Sequence, residues 1–559
     1  PVWGVRGAGR KEGWTEPNEC GRIGEILVQW ENRPFWWVGP DRSSRVLVWI
    51  PFWGYAMSHR YGSMSLGMVE DFLTGLERRS YPYEIAYVRW AGHGDNAVPD
   101  PAICEFIRDW NEKYAWPRFV IGSTSQAFGA FEAKYGEHLP EVMGDWTPYW
   151  EDGAGSSAAE TALNRASSDR VTQAEALWAM LAPESYPAED FEEAWRSVLL
   201  YSEHTWGAWC SVSEPNRRET LEQWSIKHSY AAAADMQSRE LLSRGLALAL
   251  GEDASEAVDI YNTTSWPRSE LVILPRDFCE GRDRVTDDQG RPVASQRLRN
   301  GELAVLTREI PPYAARRYRV ERGAAHREGE VRLGDDWLEN GSLRVVVDRE
   351  TGAIRELRLR DLNRNLVDSS AGHAINDYLY LIGDDVNALQ RNGPVTLQVK
   401  ERGPLVGSLL IRSEAPGAHR LERGVHLVAG SDQVLLINLV DKRRLEAGSY
   451  HAKEGKESVN FAFPFDVEGG QVRLEVPYGL MRPDVDQIPS ACKNWFTVGR
   501  WADVSNDEYG VTWITLDAPL VQVGGVTATL LNSQTNPEVW RKEVGPTQRI
   551  YSWAMNNHW

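Results

Sequence analysis

Hydrophobic and polar positions along the chain fall into three successive patterns. In the first, short apolar runs typical of buried strands, at residues 46–50, 85–90 and 118–121, alternate with amphipathic stretches typical of helices, such as 68–76. Strands that alternate with helices are typical of an α/β unit built on a parallel sheet. We therefore predict that residues 1–122 belong to an α/β domain.

The second pattern is helical. Small and apolar residues recur every three or four positions in three stretches, which predict helices over residues 158–181, 191–202 and 217–250. The apolar positions of the first stretch include Ala162, Ala166, Ala174, Leu177 and Leu181, and those of the third include Leu221, Trp224, Met236 and Leu242. We predict that the three helices form a bundle over residues 123–252.

The third pattern has a period of two residues. Strand-like runs occur at residues 271–274, 343–347, 434–439 and 472–476, and turn signals such as Asn-Gly lie beside them. So long a succession of strands and turns predicts a large antiparallel β-sandwich region over residues 253–559. The predicted fold class is therefore multidomain, with an α/β part, an all-α part and an all-β part in that order.

Composition excludes several classes of protein. The 559 residues include 61 Lys and Arg against 80 Asp and Glu, a net charge of −19, whereas proteins that bind nucleic acids or anionic membranes normally have a basic surface. No run of about 18 apolar residues predicts a membrane span. The five cysteines are far apart and show no CxxC spacing, which predicts buried free thiols rather than a thiolate metal site.

The two ends of the sequence resemble chain interior. Pro1 stands where an initiator methionine is expected, and the last residue, Trp559, follows no polar tail. We therefore expect the sequence to be a piece of a longer chain. Because a signal peptide would precede Pro1, the expectation of a soluble protein covers both a cytoplasmic and an exported one.

Acidic and aromatic residues cluster at residues 144–153, whose sequence is GDWTPYWEDG. Aromatic rings stack on the faces of pyranose sugars, and a partly desolvated carboxyl group has a raised pKa that suits proton transfer. The segment is therefore a candidate site for sugar chemistry. On local pattern alone a structural interpretation is stronger: Ser156 or Ser157 caps the next helix, Glu151 and Asp152 favour its positive end, and the aromatic residues belong to the core.

A second candidate segment ends the middle predicted helix. His204 stands where the amphipathic pattern stops and a turn containing glycine begins, a position from which a metal ligand can project into a cleft. The structural alternative is a histidine that interacts favourably with the negative end of the helix dipole. A single histidine does not bind zinc, which takes three or four protein ligands.

Six tryptophans near these segments and in the α/β region also have two interpretations. Their rings either line a sugar-binding cleft or pack in the core and between domains, and we expect a minority to contact a ligand. They are Trp36, Trp37, Trp146, Trp150, Trp206 and Trp209.

Taken in order, these segments resemble the α-mannosidases of glycoside hydrolase family 38, and most closely the bacterial relatives in that family. The segment 144–153 is similar to the family's GDFFPYADG stretch, with one extra residue before Asp-Gly, and the helix ending at His204 is similar to the helix that presents a zinc-binding histidine. Further similar segments are 34–41, 46–49, 337–343, 461–465, 501–506 and 510–512. The resemblance covers essentially the whole chain. It implies the end of a seven-stranded β/α barrel domain, a three-helix bundle and a β-sandwich region.

The resemblance also implies an activity, that of a zinc-dependent retaining exo-glycosidase acting on terminal α-mannosides. In such enzymes one carboxylate attacks the anomeric carbon and a second carboxyl group acts as acid and then as base. Transferred to this sequence, His204 is a zinc ligand and Asp152 the acid/base candidate, with Glu151 as its rival because of the inserted residue. The resemblance places the nucleophile and the remaining zinc ligands upstream of Pro1, so we expect the chain alone to be inactive.

The sugar-binding positions depart from the family pattern. Where the family usually has an aspartate after the zinc-binding histidine, this chain has Thr205, preceded by Glu203. We expect Thr205, Glu203, Trp150 and Trp206 to contact the substrate. The departure leaves two alternatives open: a glycosidase of different sugar specificity, and a non-catalytic carbohydrate-binding protein of the same architecture. The sequence makes no prediction about the oligomeric state.

Overall fold

The protein is described here from a computed structural model. The described residues are 30–50, 57–58, 62–91, 98–147, 150–249, 256–362, 364–383, 385–445, 456–489, 491–527 and 541–557. They fall into two compact units. The first unit contains residues up to Trp150 together with 473–496 and 532–545, and the second contains 151–472, 497–531 and 546–559.

The helices of the described residues lie mostly in the first half of the chain. They are α1 (Leu66–Arg78), α2 (Ala102–Lys113), α3 (Thr124–Tyr135), α4 (Gly153–Ser156), α5 (Ala158–Leu181), α6 (Ala188–Tyr201), α7 (Arg218–Ala247) and α8 (Arg276–Cys279).

The strands dominate the second half. They are β1 (Phe35–Val38), β2 (Arg45–Val48), β3 (Glu141–Met143), β4 (Ala257–Asn262), β5 (Leu271–Leu274), β6 (Arg284–Thr286), β7 (Pro292–Val293), β8 (Ser295–Arg297), β9 (Leu303–Leu306), β10 (Ala314–Glu321), β11 (Arg332–Leu333), β12 (Trp337–Glu339), β13 (Leu343–Val347), β14 (Ile354–Leu359), β15 (Arg364–Asn365), β16 (Asp377–Ile382), β17 (Gln390–Arg391), β18 (Val395–Arg402), β19 (Val406–Ser413), β20 (Ala418–Val428), β21 (Val434–Lys442), β22 (Glu457–Pro464), β23 (Gln471–Val476), β24 (Gly479–Met481), β25 (Phe496–Thr497), β26 (Trp501–Ser505), β27 (Gly510–Ile514), β28 (Leu520–Val523) and β29 (Arg549–Asn557).

The first unit contains a small mixed sheet of order β2-β1-β3. β1 runs parallel to β3, as predicted, but antiparallel to β2, so the sheet of the described residues is mixed rather than parallel. One side of the sheet packs on a cluster of aromatic and aliphatic side chains that includes Trp36, Trp49 and Phe131. The barrel expected from the resemblance stays a prediction.

Two of the predicted strands of this unit do not form strands. Residues 85–90 and 118–121 have no strand structure. Ile85 packs its side chain on the aromatic cluster instead. The backbone of Phe119 is satisfied by the side chain of Asn111, whose Oδ1 accepts from the Phe119 N–H at 3.0 Å and whose Nδ2 donates to its carbonyl at 2.8 Å. A side-chain amide therefore supplies the bonds that a neighbouring strand would make.

In the second unit, α5, α6 and α7 pack against one another. Their shared core contains Val171, Ala174, Trp178, Phe191, Ala194 and Leu241. The indole N–H of Trp178 donates to the carbonyl of Leu241 at 2.9 Å, so the largest core side chain also satisfies its polar atom. The predicted ranges of the three helices agree with the observed ones to within a few residues.

Some of the predicted apolar positions of this helix cluster are exposed. Trp224, on α7, is 36% exposed and Met236 is 63% exposed, while Lys227 is buried. On α5 the buried stripe begins with the polar residues Thr161 and Asn164 rather than with alanines. Hydrophobic periodicity does not predict these buried positions because their side chains are polar and form hydrogen bonds.

Strands β18, β19, β20 and β21 form an antiparallel sheet, β22 pairs antiparallel with β16 and β29, and the predicted β-sandwich fits these sheets. In the central sheet β22 pairs with both β16 and β29, and every residue of β22 is buried. β29 extends to Asn557 and so brings the Asn556 side chain to the candidate site described next. The predicted domain bounds at 122 and 252 stay predictions.

Two further observations concern predictions from composition. No described helix is long and apolar enough to cross a membrane. The four described cysteines are free thiols, but Cys104 is exposed and Cys210 is partly exposed, so the prediction of uniformly buried thiols is wrong for these two.

Candidate functional site

The acidic candidate segment forms a tight turn of 3-10 helix, Trp150–Asp152, directly before α4. Asp152 is completely buried, and its backbone carbonyl accepts a hydrogen bond of 2.7 Å from Nδ2 of Asn556 on β29. Oδ1 of the same amide accepts a hydrogen bond of 2.5 Å from the Ser156 hydroxyl. The Asn556 side chain on the last strand therefore holds both ends of this short segment. The Ser156 hydroxyl bonds to Asn556 and does not cap the next helix, as one of the two predicted alternatives had it.

Two glycines allow this turn to approach its neighbours closely. A Cβ atom on Gly153 would lie 2.0 Å from Cδ1 of Trp206, and one on Gly155 would lie 2.5 Å from Nδ2 of Asn556. No side chain larger than hydrogen fits at either distance. Trp206 belongs to the second candidate segment, so the two segments singled out in the sequence lie in direct contact.

The second candidate segment is held in place by a buried lysine. The last carbonyl groups of a helix have no partner within the helix, and a cation near them interacts favourably with the helix dipole. Nζ of Lys227, on α7, donates hydrogen bonds to three carbonyl oxygens at the end of α6. They belong to Leu200, Tyr201 and Glu203, at 3.2, 3.0 and 3.1 Å. Lys227 therefore fixes the point at which the chain leaves α6.

The carboxylate of Glu203 organises the turn that follows α6. Its Oε1 accepts from the Thr205 backbone N–H at 3.1 Å and lies 2.6 Å from Nδ1 of His204. Its Oε2 accepts from the Thr205 hydroxyl at 2.5 Å and lies 3.0 Å from Nζ of Lys227. Burial raises the pKa of Glu203, but the hydrogen bonds from Thr205 and Lys227 lower it by more, so the pKa lies below its usual value. Both oxygens of this ionised group are therefore engaged by the chain itself.

The hydroxyl group of Tyr201 connects the two segments. It lies 2.9 Å from Oγ of Ser157 and 2.8 Å from Oγ1 of Thr161, and it donates to the Ser157 carbonyl at 3.1 Å. The Thr161 hydroxyl in turn donates to the carbonyl of Ala154 at 2.8 Å. Burial raises the pKa of Tyr201 to about 12, so the hydroxyl keeps its proton at neutral pH. A chain of hydrogen bonds thus runs from α4 to the end of α6.

The predicted site residues are only partly brought together. Asp152 and Trp206 lie on the two contacting segments, and Glu203, His204 and Thr205 share one turn. Glu151 is partly exposed, in contrast to the buried Asp152 beside it. The side chain of Trp150 lies outside what the structure describes.

The residues that hold this site were not found from the sequence. Lys227 and Asn556 are distant from the motifs and belong to no local pattern that predicts a site, while Tyr201 lies in the helix that ends before His204 but carried no predicted role. Ser156 and Ser157 gave a local signal, and it pointed to helix capping.

His204 is exposed, with 59% of its side chain accessible. Within the described ranges no group of three or more His, Cys, Asp and Glu side chains has the arrangement of a metal site. The sequence does contain one HxD pair, His93-Gly94-Asp95, so the expectation that the remaining ligands all precede Pro1 overlooked a candidate pair within the chain. That pair lies outside the described residues.

The tryptophans differ in their exposure, and the expectation that some of them line a sugar cleft stays a prediction. In the first unit, Trp36 is a core residue whose indole N–H donates to the carbonyl of Gly136 at 2.8 Å. Trp37 is 38% exposed and meets Trp146 edge to face, with ring centroids 6.1 Å apart. In the second unit, Trp209 is 55% exposed.

Comparison with known proteins gives a consistent result. Residues 338–529 match the family model described as the C-terminal domain of glycosyl hydrolases family 38. Alpha-mannosidase 2C1 of Homo sapiens is 23% identical over 517 residues, which cover 87% of this chain and 45% of the human protein. The same protein of Mus musculus is 24% identical over 518 residues, with the same coverage. The match thus spans about half the length of these relatives.

Two solved structures share the fold. An alpha-mannosidase from Enterococcus faecalis V583 superposes with a TM-score of 0.66 at 14% identity, over 88% of this chain and 64% of that one. A protein in glycosyl hydrolase family 38 from Enterococcus faecalis superposes with a TM-score of 0.60 at 13% identity, over 90% of this chain and 66% of that one.

The close approach of Gly153 to Trp206 predicts the effect of a single methyl group. We expect Gly153→Ala to lower the free energy of unfolding by about 2 kcal/mol, because the ring of Trp206 must move to admit the Cβ atom. Gly129→Ala is the matched control: its Cβ meets nothing within 4 Å on an exposed helix position, and we expect a gain of about 0.5 kcal/mol. Urea unfolding measures the free energy of unfolding of both variants. Equal effects of the two substitutions would contradict the close packing of Gly153 against Trp206.

The hydrogen bonds from Lys227 to the end of α6 predict a second effect on stability. We expect Lys227→Met to lower the free energy of unfolding by about 3 kcal/mol, because three carbonyl oxygens and Glu203 lose a charged donor. Arg218→Met, on the same helix, removes a cation whose side chain is 86% exposed and is the control, with an expected change within about 0.5 kcal/mol. Thermal and urea unfolding measure both; a Lys227→Met protein as stable as the control would show that these hydrogen bonds contribute nothing.

Proposed function

We propose that this chain, whose residues 338–529 match the C-terminal domain of glycosyl hydrolases family 38, forms part of a zinc-dependent retaining exo-glycosidase that hydrolyses terminal α-mannosides or related α-glycosides. The observation that carries the proposal is the contact between the turn at Asp152 and the turn at His204, made through Gly153 and Trp206. Asp152 and His204, which the family resemblance selects for catalysis and for zinc, thus lie on contacting segments of the second unit.

The chemistry of His204 fits a zinc ligand. Its side chain is exposed, and the carboxylate of Glu203 lies 2.6 Å from its Nδ1. A carboxylate at one ring nitrogen fixes the proton there and leaves the other nitrogen able to bind a metal ion, the usual arrangement around zinc-bound histidines. Bound zinc would orient sugar hydroxyl groups and stabilise developing charge. The remaining ligands are proposed to come from outside the described residues.

Glu151 and Asp152 remain the two candidates for the acid/base. A general acid must reach the leaving oxygen of the substrate directly or through one water molecule. The partial exposure of Glu151 supports this residue, whereas the complete burial of Asp152 supports a role in shaping the turn. In a retaining mechanism the nucleophile is a further carboxylate on the opposite side of the sugar ring, about 5 Å from the acid.

The substrate-binding role proposed for the turn after α6 has a physical basis in its hydrogen bonds. The Thr205 hydroxyl uses its proton on Glu203 and keeps lone pairs that accept hydrogen bonds from a sugar. Trp206 and Trp150 are proposed as the aromatic walls. Because a threonine replaces the family's aspartate here, the preferred sugar is proposed to be a mannoside or a related α-glycoside.

A specific observation favours a second candidate function. If the buried Asp152 were the family's acid, the absence of solvent access to it would suit a carbohydrate-binding protein without catalysis. The two functions differ in a measurable way, since only the enzyme releases sugar from an aryl glycoside.

Leaving-group dependence identifies the acid. In the longest natural chain that contains this sequence, we expect Glu151→Gln to lower kcat/KM about 100-fold or more for an alkyl α-mannoside, whose leaving group needs protonation, and far less for 2,4-dinitrophenyl α-mannoside. Asp152→Asn is the matched control and should affect both substrates equally. If the selective loss falls on Asp152→Asn, the acid is Asp152; if neither variant is selective, neither residue is the acid.

Zinc content tests His204. We expect the longest natural chain to bind about one zinc ion with its four-ligand site, and His204→Ala to lose most of it, since removing one ligand opens the site. His326→Ala is the control because His326 is also exposed and pairs with a glutamate, Glu328, in the β region. Zinc retained in full by His204→Ala removes this residue from the site.

A further inference from the structure

The chain after His204 forms a strongly bent turn over residues 206–210, which includes Trp209. Trp206, Gly207 and Cys210 all have left-handed backbone angles, with φ of 55°, 65° and 59°. Because two of these residues are not glycine, the surrounding contacts must hold the turn in this conformation. Ala208, next to Trp209, is 5% exposed and anchors the turn.

Trp209 nevertheless stands exposed on this anchored turn. Its side chain is 55% exposed, although the guanidinium group of Arg217 lies over the ring at 5.0 Å from the centroid. Gln223, on α7, donates from Nε2 to the Trp209 carbonyl. The position of the ring is therefore fixed from both sides of the residue while much of its surface faces solvent.

A second indole lies close by along α7. Trp224 is 36% exposed, and its Nε1 donates to the Ser211 hydroxyl, two residues after Trp209, at 3.0 Å. Burying apolar surface contributes about 25 cal/mol of favourable free energy per Å², and an indole ring left in water does not gain it. Two tryptophans held in fixed positions with so much exposed surface indicate a ligand with an apolar face.

The surroundings of Trp209 are polar and carry carboxylates. Nε of Arg217 lies 2.9 Å from Glu219, and Nη1 lies 3.4 Å from Glu214. These carboxylates are roughly half exposed, so their remaining lone pairs can accept hydrogen bonds from hydroxyl groups. A ligand with a C–H face for the indole and hydroxyl groups for the carboxylates is a carbohydrate. An anionic ligand would be repelled by the carboxylates of Glu214 and Glu219.

We propose that Trp209, with Arg217 and Trp224, forms a sugar-binding surface for the part of the glycan that remains after the terminal sugar is cleaved. This inference rests on the proposed glycosidase function, and it adds a preference for oligosaccharides over simple glycosides. The distance along the chain supports it: Trp209 lies only five residues after His204, on the same anchored turn. The carboxylates of Glu214 and Glu219 bind hydroxyl groups at its edge.

Direct binding tests the proposal without relying on catalysis. Isothermal titration of the longest natural chain with α-1,2-linked mannotriose and with methyl α-mannoside should show tighter binding of the trisaccharide. Trp209→Ala should weaken trisaccharide binding about tenfold, the loss of one good ring contact, and leave binding of methyl α-mannoside unchanged. Trp209→Tyr keeps a ring and should retain most of the affinity.

The control is Trp266→Ala, which removes a tryptophan that is 59% exposed in the β region of the same unit. The inference is overturned if Trp209→Ala binds the trisaccharide as wild type does, or if Trp266→Ala weakens it equally. It is also overturned if sedimentation shows a concentration-dependent dimer that Trp209→Ala abolishes, because a second copy of the chain then covers the surface. Thermal unfolding of each variant verifies that it is folded.

Hydrolysis of p-nitrophenyl α-mannoside separates the two hypotheses. If the wild type cleaves this short substrate but Trp209→Ala leaves trisaccharide binding intact, the inference fails and the proposed function stands. If the wild type cleaves no glycoside but loses trisaccharide affinity on Trp209→Ala, the proposed enzyme activity fails and the sugar-binding surface stands.

Discussion

The ammonium group of Lys227 is the contact on which the candidate site depends. Its three hydrogen bonds end α6 at a defined point, and its proximity to Glu203 fixes the carboxylate that holds His204 and Thr205. Burying a cation is costly unless every N–H finds an acceptor, and here the helix end supplies those acceptors. The geometry of the exposed turn is thus set by a side chain that solvent barely reaches.

The helix cluster is accordingly built in two different ways. Around Trp178 and Phe191 the three helices meet through apolar side chains. Toward the site they meet through hydroxyl, amide and ammonium groups, of which Tyr201 has three partners within 3.1 Å. Apolar contacts tolerate small shifts, whereas such hydrogen bonds define distance and direction. The polar end therefore positions the chemistry, and the apolar end supplies stability.

The sequence predicted the parts of the fold that follow from hydrophobic spacing. The ranges of α5, α6 and α7 and the change to strands after residue 256 follow from such spacing. The two motif segments were selected by their acidic, aromatic and histidine residues and by the family resemblance. What it could not predict was polar burial: nothing in the pattern distinguishes Lys227 from an exposed lysine, because its partners are backbone carbonyls on another helix. The same holds for Phe119, whose apolar run resembles a strand although a neighbouring asparagine satisfies its backbone. Side-chain partners that are distant in sequence leave no local periodicity.

The hydrogen bond between Asn556 and the carbonyl of Asp152 joins residues that are 404 positions apart. A ribosome that adds about 5–20 residues per second needs roughly 20–80 s to make the chain between them. During that interval the helices can form from local contacts, but the acidic turn lacks one of its anchors. Assembly of the site is therefore a late event in synthesis, coupled to the closing of the central sheet by its final strand.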